Sequence, residues 1–265
     1  MINAAVLGSP ISHSLSPFLH SLAYEYLGVA ARYEAIEVKA GALSDFLSTT
    51  DRNCLSLTMP LKEEALKVAD VVSDIATRIS SGNTLSLSDG IWKLTSTDVS
   101  GFDFSLKMRG LNQIDSVLII GAGATARAAA ASVSQIAKSL SVISRNSDRE
   151  PDMNLASLVD ITYLPWKLTD QINTADLVIN TTPNHAADFF MSSINNPSGT
   201  FFEVLYHPWP TAMSKVWSDS KNQVIDGLDL LIHQGISQVE IFTSLAVDRK
   251  YIYTKMREAA VQKLA

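Results

Sequence analysis

Lys62 closes the run Ser56-Leu57-Thr58-Met59-Pro60-Leu61-Lys62, and Asp98 sits in Thr97-Asp98-Val99-Ser100-Gly101. A lysine facing a carboxylate is an acid/base device. The ammonium can deliver a proton to a carbonyl oxygen while hydride arrives at the carbon, and the carboxylate fixes its position and tunes its pKa. Which of the two is the formal acid or base stays open, because a coupled pair titrates as one unit. Taken singly, Lys62 reads as a surface lysine on a helix and Asp98 as a helix N-cap. The rest of the chain is what gives the pair meaning.

The apolar segment Val117-Leu118-Ile119-Ile120 runs into Gly121-Ala122-Gly123-Ala124-Thr125-Ala126 and then an alanine-rich stretch. A strand, a glycine turn and a helix in this order form a dinucleotide fingerprint. Gly121 permits the tight turn, Gly123 lets backbone approach a pyrophosphate, and small Ala126 lets helix and strand pack closely. The helix N-terminus then receives the phosphates. An NAD site places Asp or Glu about 20 residues beyond the glycines, whereas arginine accommodates a 2′-phosphate. Here Ser144-Arg145 stands in that place and Arg149 follows, so the expected cofactor is NADP. The plainer alternative is a solvated loop whose arginines pair with Asp148 and Glu150.

These groups need elements to carry them. Short apolar runs and helical patterns alternate through the first hundred residues: strands Ala4–Leu7, Tyr33–Val38 and Leu55–Met59, helical patterns from Pro17 to Leu27 and Leu43 to Leu47. That is a βαβ rhythm. It puts Lys62 at a strand's carboxyl end, where open α/β sheets bind ligands. A connecting helix is expected from Gly101 to Arg109. A second βα series then uses strands near Leu140–Ser144, Ile161–Leu164, Leu177–Asn180 and Phe201–Leu205, followed by helices from Leu228 to Leu245 and from Asp248 onward. The expected class is α/β in two domains: an N-terminal α/β domain and a Rossmann-type nucleotide domain, with the C-terminal helices returning to the first. The expected boundaries are 1–100 plus 236–265, and 101–235, with a ligand cleft between them.

With 265 residues, 46% hydrophobic and 18% charged, the chain supports a proper core. A net charge of −6 argues against a nucleic-acid surface or an anionic membrane as partner. Cys54 is the sole cysteine, which excludes an internal disulfide and a multi-cysteine metal site and suits a reducing cytoplasm. The five histidines show no metal-ligand spacing, so no metal is expected. The first residues lack a cationic segment followed by an apolar run, and no apolar stretch of about 18 residues occurs, so neither secretion nor membrane insertion is expected.

Five ordered blocks resemble the shikimate dehydrogenase family across essentially the whole chain: Gly8-Ser9-Pro10-Ile11-Ser12-His13-Ser14-Leu15-Ser16-Pro17, Thr58 to Lys62, Asn83-Thr84 with Thr97-Asp98, Gly121 to Ala126, and Gly227 with Gln234-Gly235. The resemblance implies reversible NADP-dependent reduction of 3-dehydroshikimate to shikimate in aromatic amino-acid biosynthesis. It makes Lys62 and Asp98 the catalytic pair. Ser14, Ser16, Thr58, Asn83, Tyr206 and Gln234 become substrate ligands, with Ser14, Ser16 and Tyr206 on the carboxylate. Gly121 to Ala126, Ser144, Arg145, Arg149, Thr182 and Gly227 become cofactor ligands. Read alone, Ser14 and Ser16 are turn and cap residues, Asn83 a turn residue after Gly82, and Gln234 a solvated helix residue.

The chain departs from the family pattern at Ser56 and Ser96, where asparagine is usual, at Thr182-Pro183-Asn184-His185-Ala186, and at Asp229-Leu230, where Gly-Met is usual. Two other readings compete: an NAD-dependent quinate/shikimate dehydrogenase, which the arginines oppose, and a non-catalytic shikimate sensor, which Lys62 and Asp98 oppose. Either a monomer or a homodimer is compatible with the sequence.

Overall fold

The computed structural model describes residues 1–264. Its contacts divide the chain into two units, Met1–Gly101 with Leu231–Ala265, and Phe102–Leu230. The C-terminal helices therefore return to the first unit.

The first unit is built on strands β1 (Ile2–Gly8), β2 (Ala31–Glu37), β3 (Cys54–Leu57), β4 (Val71–Val72), β5 (Thr84–Ser88) and β6 (Ile91–Thr95), ordered β2-β1-β3-β5-β6-β4. β2, β1 and β3 run parallel, as their βαβ pattern requires. All four residues of β3 are buried, as expected for a strand covered on both faces. β3 is shorter than the Leu55–Met59 expected from its apolar run. Thr58 and Met59 leave the sheet but stay tied to β1: Thr58 N–H donates to Leu7 O (2.9 Å), and Met59 O accepts from Ser9 N–H (3.0 Å).

The βαβ rhythm breaks at β5. It pairs antiparallel with both β3 and β6, and Asp89-Gly90 makes the two-residue turn with φ of 54° and 76°. Positive φ at both central residues is the geometry that Asp-Gly favours between twisted strands. Leu7, Leu55, Leu57, Leu61, Leu85 and Leu94 meet in one core cluster under the helices.

The helix Ser16–Tyr26 packs His20 inside this unit, 1% exposed. The ring stacks on Tyr33 with centroids 4.1 Å apart, and its Nδ1–H donates to Ser16 O at 3.0 Å. Tyr24 and Phe242 border it, so no carboxylate among these neighbours offsets a charge on the ring. Burial lowers its pKa from 6.5 to about 4. The unfolded chain thus binds a proton that the folded chain refuses. The stabilisation is complete above pH 6.5 and is lost as pH falls towards 4, amounting to roughly 3 kcal/mol across that window. Urea denaturation of the protein should show this slope, and His20→Gln should flatten it. An unchanged slope in the variant would assign the acid sensitivity elsewhere.

The second unit contains β7 (Ile114–Ile120), β8 (Ala137–Ser144), β9 (Ile161–Pro165), β10 (Leu177–Asn180), β11 (Thr200–Glu203) and β12 (Val224–Ile225). All are parallel, in the order β9-β8-β7-β10-β11-β12. That is the doubly wound Rossmann order, with its switch point between β7 and β10. The helix Ala124–Val133 leaves β7 and buries every residue from Ala126 to Val133. Its alanines favour helix and leave little bulk between helix and sheet. Trp217, Phe201 and Phe190 are wholly buried in the core of this unit, whereas Trp209 is 41% exposed and is not the packing residue that its type suggests.

Candidate active site

Sheet register explains how three distant segments reach one place in the first unit. Ser56 of β3 pairs with Thr84 of β5, and Thr84 pairs with Thr95 of β6. The residues just beyond these pairs are Thr58 after β3, Asn83 before β5, and Thr97-Asp98 after β6. All leave the sheet at the same edge. The bonding continues past the strands, with Leu57 N–H donating to Asn83 O (2.8 Å) and Asn83 N–H to Thr95 O (3.1 Å).

Lys62 follows on the helix Leu61–Glu64, anchored by wholly buried Leu61 and by Gly82 N–H donating to Lys62 O at 2.9 Å. Glu64 holds the turn from below by accepting from Gly41 N–H and Leu43 N–H.

The Lys62 ammonium donates to Asp98 Oδ2 at 2.6 Å. Both side chains are largely enclosed, at 16% and 8% exposure, so the pair is weakly screened. An ammonium has three N–H donors, and Asp98 uses one, which leaves donors for a ligand oxygen. Asp98 is the first residue of the helix Asp98–Met108, not a residue ahead of it, so the connecting helix starts earlier than Gly101. Its Oδ1 accepts from Asn83 Nδ2 at 2.9 Å instead of capping backbone. Both carboxylate oxygens are thereby oriented.

Asn83 is the hub of this cluster and is 2% exposed. Its Nδ2 lies 2.9 Å from Asp98 Oδ1, 3.1 Å from Gln234 Oε1 and 3.0 Å from Thr97 Oγ1. Its Oδ1 accepts from Thr97 N–H at 2.8 Å and from Thr84 Oγ1 at 2.8 Å, with Thr97 Oγ1 at 3.2 Å. Two amide hydrogens cannot serve three acceptors fully. The charged oxygen of Asp98 and the carbonyl of Gln234 take them, and the Thr97 hydroxyl donates to Oδ1.

Gln234 comes from the helix Gly227–Thr243 and is 8% exposed, so it is not the solvated helix residue its type suggests. One turn later Gln238, which sequence reasoning missed, donates to Asn83 O and Thr84 Oγ1, each at 3.0 Å. Its Oε1 accepts from Ser56 Oγ (2.8 Å), and Ser56 Oγ accepts from the Tyr33 hydroxyl (2.6 Å). Spacing could have found it: i and i+4 share a helix face. Thr97 was likewise visible only as the neighbour of Asp98.

The remaining expected ligands are placed as follows. Thr58 is half-buried beside Gly8, whose added Cβ would sit 2.4 Å from Thr58 Cγ2. Ser14 Oγ accepts from Ser16 N–H at 3.3 Å, a local turn bond, while buried Ser16 opens the helix Ser16–Tyr26. His13 is exposed. Tyr206 belongs to the second unit, half-buried on the segment after β11.

In the second unit Gly121 has φ +111°, and a Cβ there would lie 2.4 Å from Thr181 Oγ1. No other residue type suits it. Gly123 caps the helix Ala124–Val133, and nothing lies within 4 Å of where its Cβ would be. Open space over a helix N-terminus suits a pyrophosphate. Ala126 is wholly buried, Ala122 is 8% exposed, and Ala124 and Thr125 are half-buried.

Ser144 ends β8, exposed Arg145 follows, and half-buried Arg149 lies one turn on. Thr182 donates through Oγ1 to Asn180 Oδ1 at 2.7 Å, and Asn180 Nδ2 donates to the carboxylate of Glu203. Glu203 is wholly buried and burial raises its pKa, opposed by its hydrogen bonds to Asn180 and Thr211. Gly227 packs its α-carbon against backbone, since a Cβ would meet Val204 O at 2.3 Å. Among the described residues no group of His, Cys, Asp and Glu could hold a metal ion, and no helix is long and apolar enough to cross a membrane.

A doubly wound dinucleotide unit, in one chain with an α/β unit that aims a lysine-carboxylate pair from its sheet edge, defines a nicotinamide-dependent oxidoreductase. The shikimate dehydrogenase substrate binding domain matches residues 6–85. A shikimate dehydrogenase (NADP(+)) of Ignicoccus hospitalis is 30% identical over 261 residues, covering 95% of this chain and 97% of the relative. Among solved structures, Mycobacterium tuberculosis shikimate dehydrogenase superposes with a TM-score of 0.87 at 29% identity, over 98% of this chain and 100% of that one. Shikimate 5-dehydrogenase of Thermus thermophilus, in complex with NADP(H) and shikimate, gives a TM-score of 0.84 at 29% identity, over 98% and 100%. The chain belongs to the shikimate dehydrogenase family.

Proposed function

We propose that the chain catalyses the reversible NADPH-dependent reduction of 3-dehydroshikimate to shikimate, a step of aromatic amino-acid biosynthesis, in the cytoplasm as a monomer or homodimer. The 2.6 Å contact between Lys62 and Asp98 at the sheet edge carries the reading.

When bound, the nicotinamide supplies the hydride and takes it back in the reverse direction. In reduction Lys62 donates a proton to the carbonyl oxygen of the substrate and later recovers one from solvent. In oxidation it accepts the proton of the reacting hydroxyl. Asp98 holds the Lys62 amine beside that oxygen, and Asn83 fixes Asp98. Thr58, Asn83 and Gln234 read the other hydroxyls; Ser14, Ser16 and Tyr206 donate to the carboxylate. Gly121 to Ala126 would receive the pyrophosphate, and Thr182 and Gly227 would hold other parts of the cofactor. Ser144, Arg145 and Arg149 take the 2′-phosphate, which an acid at the end of β8 would repel.

The test is turnover in four combinations, shikimate or quinate with NADP⁺ or NAD⁺, followed as reduced nucleotide. Shikimate with NADP⁺ should dominate. Binding of shikimate with no reduction of nucleotide in any combination would make the protein a sensor and sink the reading.

A further inference from the structure

Ser144 of β8 pairs with Pro165 of β9, so the next residue on each parallel strand, Arg145 and Trp166, emerges side by side at the carboxyl edge. The Arg145 guanidinium carbon lies 5.0 Å from the centroid of the Trp166 ring. Trp166 is itself held, its ring 4.9 Å from that of Phe190 at an interplanar angle of 63°. Phe190 is wholly buried in the core of the unit. A line of contacts thus runs from that core through an indole to a cation at the strand end. The indole and the guanidinium border a groove of about 380 Å³ whose other walls include Ser144, Ser147, Tyr163 and the single acid Glu150.

We propose that Trp166 is the positioning residue that gives the protein its preference for a 2′-phosphate, by holding Arg145 in the orientation that receives it. The inference rests on the assignment of Arg145 to that phosphate. An exposed arginine at a strand end samples many rotamers, and each must be given up when it grips an anion. Stacking on an indole narrows that set beforehand and leaves the guanidinium edge, with its fork of donors, free for phosphate oxygens. A flat ring cannot replace the arginine as ligand. It changes affinity only for molecules that carry the phosphate.

The probes are 2′,5′-ADP and 5′-ADP, which differ in the phosphate at the 2′ position, titrated by calorimetry against the whole protein and its Trp166→Leu and Trp166→Phe variants. Trp166→Leu should weaken 2′,5′-ADP by about two- to fivefold, the worth of an exposed cation–π contact, and leave 5′-ADP unchanged. KM for NADP⁺ should rise in step while kcat holds, and Trp166→Phe should recover much of the loss. The tryptophan emission of the wild type should respond to 2′,5′-ADP, and that response should disappear in Trp166→Phe. Equal weakening of both nucleotides would make Trp166 a structural support only and overturn the proposal, as would unchanged affinity for 2′,5′-ADP. A wild type that does not prefer 2′,5′-ADP overturns the Arg145 assignment first, and the inference with it.

Discussion

Lys62→Met should lower kcat by about 10²- to 10⁴-fold, the usual worth of a positioned acid/base group, while NADP⁺ affinity changes by less than about twofold. The split follows from location. Lys62 lies at the edge of the first unit's sheet with Asp98, and the glycine turn lies in the second unit. Methionine keeps the length and the apolar stem, so the loss is of charge and proton and not of packing. Lys62→Arg separates those two. Arginine can pair with Asp98 through its planar fork, but it cannot release a proton in this pH range. It should therefore bind shikimate better than the methionine variant and be about as inactive. Steady-state kinetics with independent titrations of shikimate and NADP⁺ decide the matter. An arginine variant near wild-type rate would show that Lys62 acts by charge alone and move the proton transfer to another group.

The nucleotide unit was legible because its signals are local. A four-residue apolar run, two glycines and an alanine stretch each act over a few residues, and β10 falls at the expected Leu177–Asn180. The six-strand order follows from the parallel, right-handed rule for such series once the elements are known. The first unit was harder to read. Asp89-Gly90 carries a strong hairpin signal, but the polar, short strands on either side resemble loop. Missing that hairpin hides the reason Asn83 and Asp98 meet, since they flank its open end.

The candidate site shows the same division. Lys62 and Asp98 were readable as chemistry, and their convergence followed from five ordered blocks. Gln238 and Thr97 were not readable, because a buried glutamine and a solvated one look alike until their partners are known. Ser56, where the family pattern has asparagine, donates to Gln238, which itself donates to Asn83 O.

Asn83→Ala should cost stability as well as activity, which sets it apart from Lys62. The wholly enclosed amide satisfies Thr97 N–H, Thr84 Oγ1, Asp98 Oδ1 and Gln234 Oε1 together. Truncation leaves a buried N–H and a carboxylate oxygen without these partners, and each such orphan costs about 1–3 kcal/mol, so a total near ~3 kcal/mol is expected in denaturant titrations. Asn83→Asp is the sharper test, because it conserves shape and the acceptor towards Thr97 but replaces the donor facing Asp98 by an oxygen. Two carboxylates at the 2.9 Å separation of the present contact cannot both stay ionised, so one of them must take up a proton at a higher pH than an isolated acid. That raised pKa fixes the sign. Relative to the wild type, with which it shares the opposite trend set by His20, the variant should lose stability as pH rises through the pair's titration. Denaturation midpoints at pH about 5.5 and about 8 bracket the expected window. A stability deficit of the variant against the wild type that fails to grow between those two pH values would show that Asn83 does not hold Asp98 as the geometry requires.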